Sequence, residues 1–174
     1  MVAAARRLFA ERGVSQVALG DIAAEVGLSR TALYRYFPTK GHILQRWFDE
    51  EMEPLVAASQ AAVVGDGPAR GRLQAWLDVQ LDFVTNPSHA VLMEASAVPE
   101  VLPPDVIATF GERHRELYGT LVPLLGTDPT TARIRTMLIA GLIRSAADLA
   151  RGGVSLSVVR SELHRSAIAV ADLP

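Results

Sequence analysis

A chain of 174 residues with 49% hydrophobic content can bury one sizeable core, or carry a small module joined to a larger one. It contains no cysteine, which excludes disulfides, thiolate metal sites and cysteine nucleophiles and makes a reducing cytoplasm the expected compartment. The net charge of −2 hides an asymmetry: residues 1–48 carry seven Lys/Arg against three acids, and residues 49–174 carry ten against sixteen.

A basic head on an acidic body points to a polyanion at one end. No apolar run approaches the roughly 18 residues that span a bilayer, so no membrane partner is expected. The opening MVAAARRLFAERG lacks the basic-then-apolar layout of a signal peptide.

Helical periodicity runs throughout, and no alternating β-branched run argues for strands. Gly and Pro clusters punctuate it. Helices are expected at about 2–12, 18–25, 29–36, 39–62, 69–85, 88–96, 104–123, 129–151 and 155–171, with ends good to about 2–4 residues. Pro54 should kink or end the fourth. The fold class is therefore all-α: a three-helix head over 1–48 and a helical body over 49–174.

In the first helix Ala5, Leu8 and Phe9 share a face; in the second, Leu19, Ile22, Ala23 and Val26 do. Gly27 suits a sharp turn. Ser29 is a good N-cap for the third helix. That helix points Leu33 and Phe37 inward and Arg30, Thr31, Tyr34 and Arg35 outward. Helix, glycine turn and helix with a polar face is the helix-turn-helix pattern.

From Gly27 to Arg46 there are four cationic side chains and no acid. Arginine can donate two hydrogen bonds to guanine in the major groove. Tyr34 and Tyr36 can donate to phosphates, and Lys40 sits in the first turn of the next helix, where anions are attracted. Double-stranded DNA is the expected partner. The bland alternative is a solvated helix face.

These residues closely resemble the TetR family of bacterial transcriptional repressors. The matching segments are Ala4, Ala5, Leu8 to Gly13; Asp21 to Ala23 with Val26 to Ser29; and Leu33, Tyr34, Tyr36 to Lys40. The resemblance covers about 40 residues in order and spacing. It implies that the third helix enters the major groove with Arg30, Thr31, Tyr34 and Arg35 facing DNA. It also implies that Tyr36 and Lys40 contact phosphates and that Ser29 caps. The chain departs from the family pattern at Val17 and Ala18, where two Ser/Thr are usual, and at Gly20, where a longer side chain often reaches DNA. The sequence also opens at the first helix with no basic arm before it, which a trimmed start would explain equally well. A weaker contribution from the second helix is expected.

In the body, Ile134, Met137, Leu138, Gly141, Leu142, Ser145 and Leu149 fall along one broad face. Leu156, Val159, Leu163 and Val170 form a near-heptad stripe on the last helix. Leaving such stripes wet costs roughly 1.5–3 kcal/mol per large side chain. A homodimer through a four-helix bundle is therefore expected, with Leu138, Leu142, Leu149, Leu156, Val159, Leu163 and Val170 at the interface. The alternative is that the stripes pack inside one subunit. Two reading heads about 34 Å apart would fit a near-palindromic operator.

The segment 69–125 is expected to enclose a small apolar or amphipathic inducer, walled by Trp76, Gln80, Phe83, Met93, Phe110, His114, Tyr118 and Met137. The same residues would serve equally as plain core. Arg144 can reach that site or pair with Asp148, the second being the stronger expectation. His/Asp/Glu spacing suggests no metal, no cofactor is implied, and no catalytic motif is found. The expected function is a ligand-responsive repressor rather than an enzyme. The alternatives are a DNA-blind protein that sequesters a ligand or partner, and an activator of the same family.

Overall fold

The computed structural model describes residues 1–87, 89, 92, 102–126 and 128–173. Among these there are helices and no strand. They divide into two compact units.

The first unit comprises Met1–Glu51 and Pro87–Arg113. Helix α1, Val2–Arg12, buries Ala5, Leu8 and Phe9 and stops at Gly13, whose φ of 79° a Cβ would disfavour. Helix α2, Leu19–Glu25, buries Leu19, Ile22 and Ala23. The family's hydroxyl cap is indeed missing at Ala18. Half the cap survives by another route: Asp21 Oδ2 accepts from the Ala18 N–H at 2.7 Å. The chain reverses at Gly27, φ 69°, with the Leu28 N–H donating to the Ala23 carbonyl. Helix α3, Arg30–Tyr36, opens where the Ala32 N–H donates to Ser29 Oγ at 3.1 Å, and it buries Leu33 completely. Helix α4, Lys40–Val63, runs unbroken past Pro54, so the proline does not end it.

Ion pairs tie α1 to its neighbours. Arg6 reaches Glu50 at 2.9 Å and Glu51 at 2.7 Å while lying over the Trp47 ring. Arg7 pairs with Glu25. Helix α6, Pro104–Gly119, begins in this unit, where Phe110 stacks on Phe48 with ring centroids 4.2 Å apart. The helix expected at 88–96 lies largely outside the described residues.

The second unit comprises Met52–Asn86 and His114–Pro174. It holds the rest of α4 and α6, then α5 (Ala69–Thr85), a short 3₁₀ turn at Val122–Leu124, α7 (Pro129–Arg151) and α8 (Leu156–Ala171). Asp128 caps α7 by accepting from the Thr131 N–H at 2.7 Å, with Pro129 in the first turn. These hydrogen bonds hold the Asp128 carboxyl below its ordinary pKa. Trp76, Leu77 and Leu81 of α5 pack with Ile139, Ile143 and Val159 in one core. Two polar side chains buried here are paired: Gln80 donates to Ser59 at 2.7 Å, and Trp76 Nε1 donates to Thr120 at 2.8 Å.

Two expected interface residues need correction. Val159 and Leu163 are each 4% exposed in the single chain, inside this core. The α8 stripe faces α5 and α7 of its own subunit because those helices need an apolar lid. Leu142 and Val170 are half-buried against the same core. Leu138, Leu149 and Leu156 remain exposed, joined by Ile134, Met137 and Val158.

Candidate nucleic-acid interface and ligand groove

Seven cations in the head do not make seven free charges. Arg6 and Arg46 pair with Glu50, and Arg7 pairs with Glu25. Lys40, expected at a phosphate, donates to the Val14 and Ser15 carbonyls at 2.8 and 3.4 Å, stitching the α1–α2 loop to the start of α4. That leaves Arg12 on α1, and Arg30 and Arg35 on α3. Neither α3 arginine has a carboxylate partner among the described residues.

The α3 surface is as the helical spacing dictates. Leu33 points inward, while Arg30, Thr31, Arg35, Tyr34 (50% exposed) and Tyr36 (64% exposed) point to solvent. Two tyrosine hydroxyls and two unpaired guanidiniums thus share one short exposed element. Ser29 is exposed too, with its hydroxyl turned to the helix end.

Gly20 bears on this surface. A Cβ built on it would lie 2.7 Å from Arg30 Nε and 3.1 Å from Cζ. The Arg30 guanidinium therefore lies over the first turn of α2, in the space a side chain at position 20 would fill. Sequence reading registered only the loss of a contact from α2. Proximity of Arg30 across the turn has no signature in helical periodicity.

Within the second unit, α6 and α7 flank an open groove of about 490 Å³. His114, Arg115, Tyr118 and Gly119 line it from α6; Ala132, Arg133, Thr136 and Met137 line it from α7. Three of the expected pocket residues are here: His114, Tyr118 and Met137, the last 66% exposed. Tyr118 is held between the Trp76 ring at 5.8 Å and the His114 ring at 6.5 Å. Burial pushes its phenol pKa up, while the nearby Arg144 guanidinium pulls it partly back. The hydroxyl is neutral at physiological pH.

The other expected pocket residues lie elsewhere. Trp76 and Gln80 are buried and spend their polar atoms on Thr120 and Ser59. Phe110 belongs to the core of the first unit, and half-buried Phe83 does not line the groove. Met93 lies outside the described residues. The stronger expectation for Arg144 also fails: Asp148 pairs with Arg151 at 2.7 Å, and Arg144 faces Tyr118.

Sequence reasoning missed Arg133 as a lining residue. A signal was there: from Pro129 to Ala147 the acidic body holds three arginines and no acid. Among the described residues no cluster of His, Asp or Glu is placed to hold a metal, and no helix is long and apolar enough to cross a membrane.

Comparison with known proteins agrees with the geometry. Residues 1–46 match the family described as bacterial regulatory proteins, tetR family. The nucleoid occlusion factor SlmA of Pasteurella multocida is 32% identical over 95 residues, covering 50% of this chain and 48% of that protein. The chain spans about half the length of the SlmA relatives it matches. The HTH-type transcriptional activator FasR of Mycolicibacterium smegmatis is 25% identical over 154 residues, covering 87% of this chain and 69% of that protein. A transcriptional regulator from Saccharomonospora viridis, solved in complex with choline, superposes with a TM-score of 0.74 at 21% identity, covering 94% of this chain and 91% of that one. At that identity the likeness establishes the fold.

Proposed function

We propose that this chain, whose residues 1–46 match the tetR-family model, is a TetR-type repressor that binds a near-palindromic operator as a dimer and lets go when a small apolar or amphipathic molecule occupies the body. One observation carries the DNA-reading half: α3 keeps both arginines exposed and without acidic partners, while most arginines around it are paired. An unpaired guanidinium loses little on meeting a base edge, because no ion pair has to break.

In this reading Arg30 and Arg35 face bases, with Thr31 beside them. Tyr34 and Tyr36 supply phosphate contacts, and Ser29 fixes the start of the helix. Lys40 acts through the loop it ties down. Gly20 lets Arg30 stand over α2, so one side chain from α3 takes the place of the missing contact from α2.

Dimerisation rests on the exposed stripe Ile134, Leu138, Gly141, Ser145 and Leu149, spaced to lie along one face of α7. Exposed apolar side chains in such a row favour burial against a second copy. Leu156 and Val158 extend the patch at the start of α8. The ligand half rests on the α6–α7 groove. A ligand that prefers the poorly spaced state of the heads shifts the population off DNA, and a coupling of about 1–3 kcal/mol weakens operator affinity roughly 5–150-fold. Helix α4 is the continuous covalent route for that coupling. An activator would use the same parts with an operator placed differently, and the FasR relative carries that title.

The test is selection of bound duplex from a random pool, with Arg30→Ala and Arg35→Ala alongside the unaltered chain. A near-palindromic motif whose preference relaxes at defined positions in each variant supports the reading. Uniform weakening across all sequences would assign the arginines to phosphates, and indifference to DNA at low salt would favour the sequestering alternative.

A further inference from the structure

The α6–α7 groove differs in charge from the body around it. Residues 49–174 carry an excess of acids, yet none of the residues lining the groove is acidic. Its α7 wall falls in the acid-free stretch Pro129–Ala147. Of the three arginines there, Arg135 is committed, donating to the Leu125 carbonyl at 2.9 Å and to Asp172 at 3.1 Å. Arg133 and Arg144 have no carboxylate partner among the described residues. Arg133, Met137 and Ala140 are spaced i, i+4, i+7 and share the face of α7 that lines the groove, while Arg144 lies a further turn along, outside the lining.

Beside Arg133 the lining is apolar: Val122, Pro129, Ala132, Met137 and Ala140. Thr136 spends its hydroxyl proton on the Ala132 carbonyl at 2.8 Å, and so adds a methyl to this surface. Cationic side chains at the rim, a neutral phenol and an apolar floor define a complementary molecule.

We propose that the groove takes an amphipathic carboxylate, its hydrocarbon body on the α6–α7 floor and its anionic head at Arg133, the arginine of the acid-free stretch that lines it. The assignment deepens the ligand-sensor reading above and rests on it. It separates this chain from the structural relative solved with choline, because a quaternary ammonium would meet arginines and no carboxylate here. The Arg133 head is exposed, so the electrostatic part of the affinity should weaken as salt rises.

The test uses the full chain and three probes of one chain length below their micelle-forming concentrations: decanoate, decanol and decyltrimethylammonium. Calorimetric titration should give binding of decanoate about tenfold or more tighter than decanol, with no binding of the cation or of choline. Arg133→Gln should erase the preference for decanoate over decanol, Arg144→Gln should keep it, and both should leave the ligand-free thermal midpoint unchanged. Gly119→Leu, whose new Cβ meets no atom within 4 Å, should fill the groove mouth and weaken both probes. Equal binding of decanoate and decanol, tighter binding of either cation, or decanoate affinity untouched by Arg133→Gln would overturn the assignment. Decanoate binding with unchanged operator affinity supports the ligand class and counts against the sensor reading alone. Operator binding in a chain that ignores decanoate overturns the ligand class alone.

Discussion

Helices α3 and α8 both present arginines to solvent, and they differ in what those arginines have left to bind. On α8, Arg160 donates to Asp78 and to Asp82, His164 lies 2.8 Å from Asp78, and Arg165 pairs with Glu162. These charges fasten one helix to another or to itself. On α3, Arg30 and Arg35 have no acidic partner. Counting charges would rank the two helices alike; asking which charges are satisfied separates a structural clamp from a surface waiting for an anion.

The largest expected effect lies beneath α3 rather than on it. Leu33 is fully buried, so Leu33→Ala should cost about 2–5 kcal/mol of stability, read by denaturant unfolding. Arg30→Ala should leave unfolding within about 0.5 kcal/mol of the parent. It should instead cost about 1–3 kcal/mol in binding the selected operator, read by fluorescence anisotropy. If its stability dropped as Leu33→Ala does, Arg30 would be a clamp like Arg160 and the comparison would collapse.

Gly20→Ala sharpens the point. The new Cβ would collide only with the far end of the Arg30 side chain, which can swing away, so the thermal midpoint should hold. Operator affinity should fall by about 1 kcal/mol, with altered preference at the base positions that Arg30→Ala relaxes. On the other helix, Arg160→Ala should cost up to about 1 kcal/mol of stability, because its partly exposed ion pairs are screened, and should leave operator binding unchanged.

The smallest effect is confined to alkaline pH. Burial raises the Tyr118 phenol pKa above its ordinary 10.0. Well below pH 10 folded and unfolded chains both keep the proton, and stability is unaffected. Above it the unfolded chain ionises first, so stability falls with rising pH until the folded phenol ionises too. Tyr118→Phe should flatten that part of the decline in thermal-midpoint measurements across pH 9 to 11.

The helices and the exposed stripe of α3 were legible because their causes are local. Glycines at positive φ, caps at Ser29 and Asp128 and the 3.6-residue period act within a few residues of chain. What stayed hidden depends on neighbours far along the chain. Periodicity says that Val159 and Leu163 are buried and is silent on whether a sister subunit or α5 and α7 bury them. The same silence put Trp76 and Phe110 in a pocket wall when each completes a core. Lys40 read as a phosphate ligand because nothing nearby in sequence announces the carbonyls of Val14 and Ser15.

Gly20 has one more consequence. Every glycine codon is a single nucleotide away from codons for alanine, valine and arginine, and some also reach serine or aspartate. If Arg30 reads a base as proposed, a lineage carrying this protein can therefore redirect its target sequence by one point mutation at this site. Duplicated copies could diverge in the genes they govern before drifting anywhere else, and the close approach of Arg30 to position 20 is where that divergence would begin.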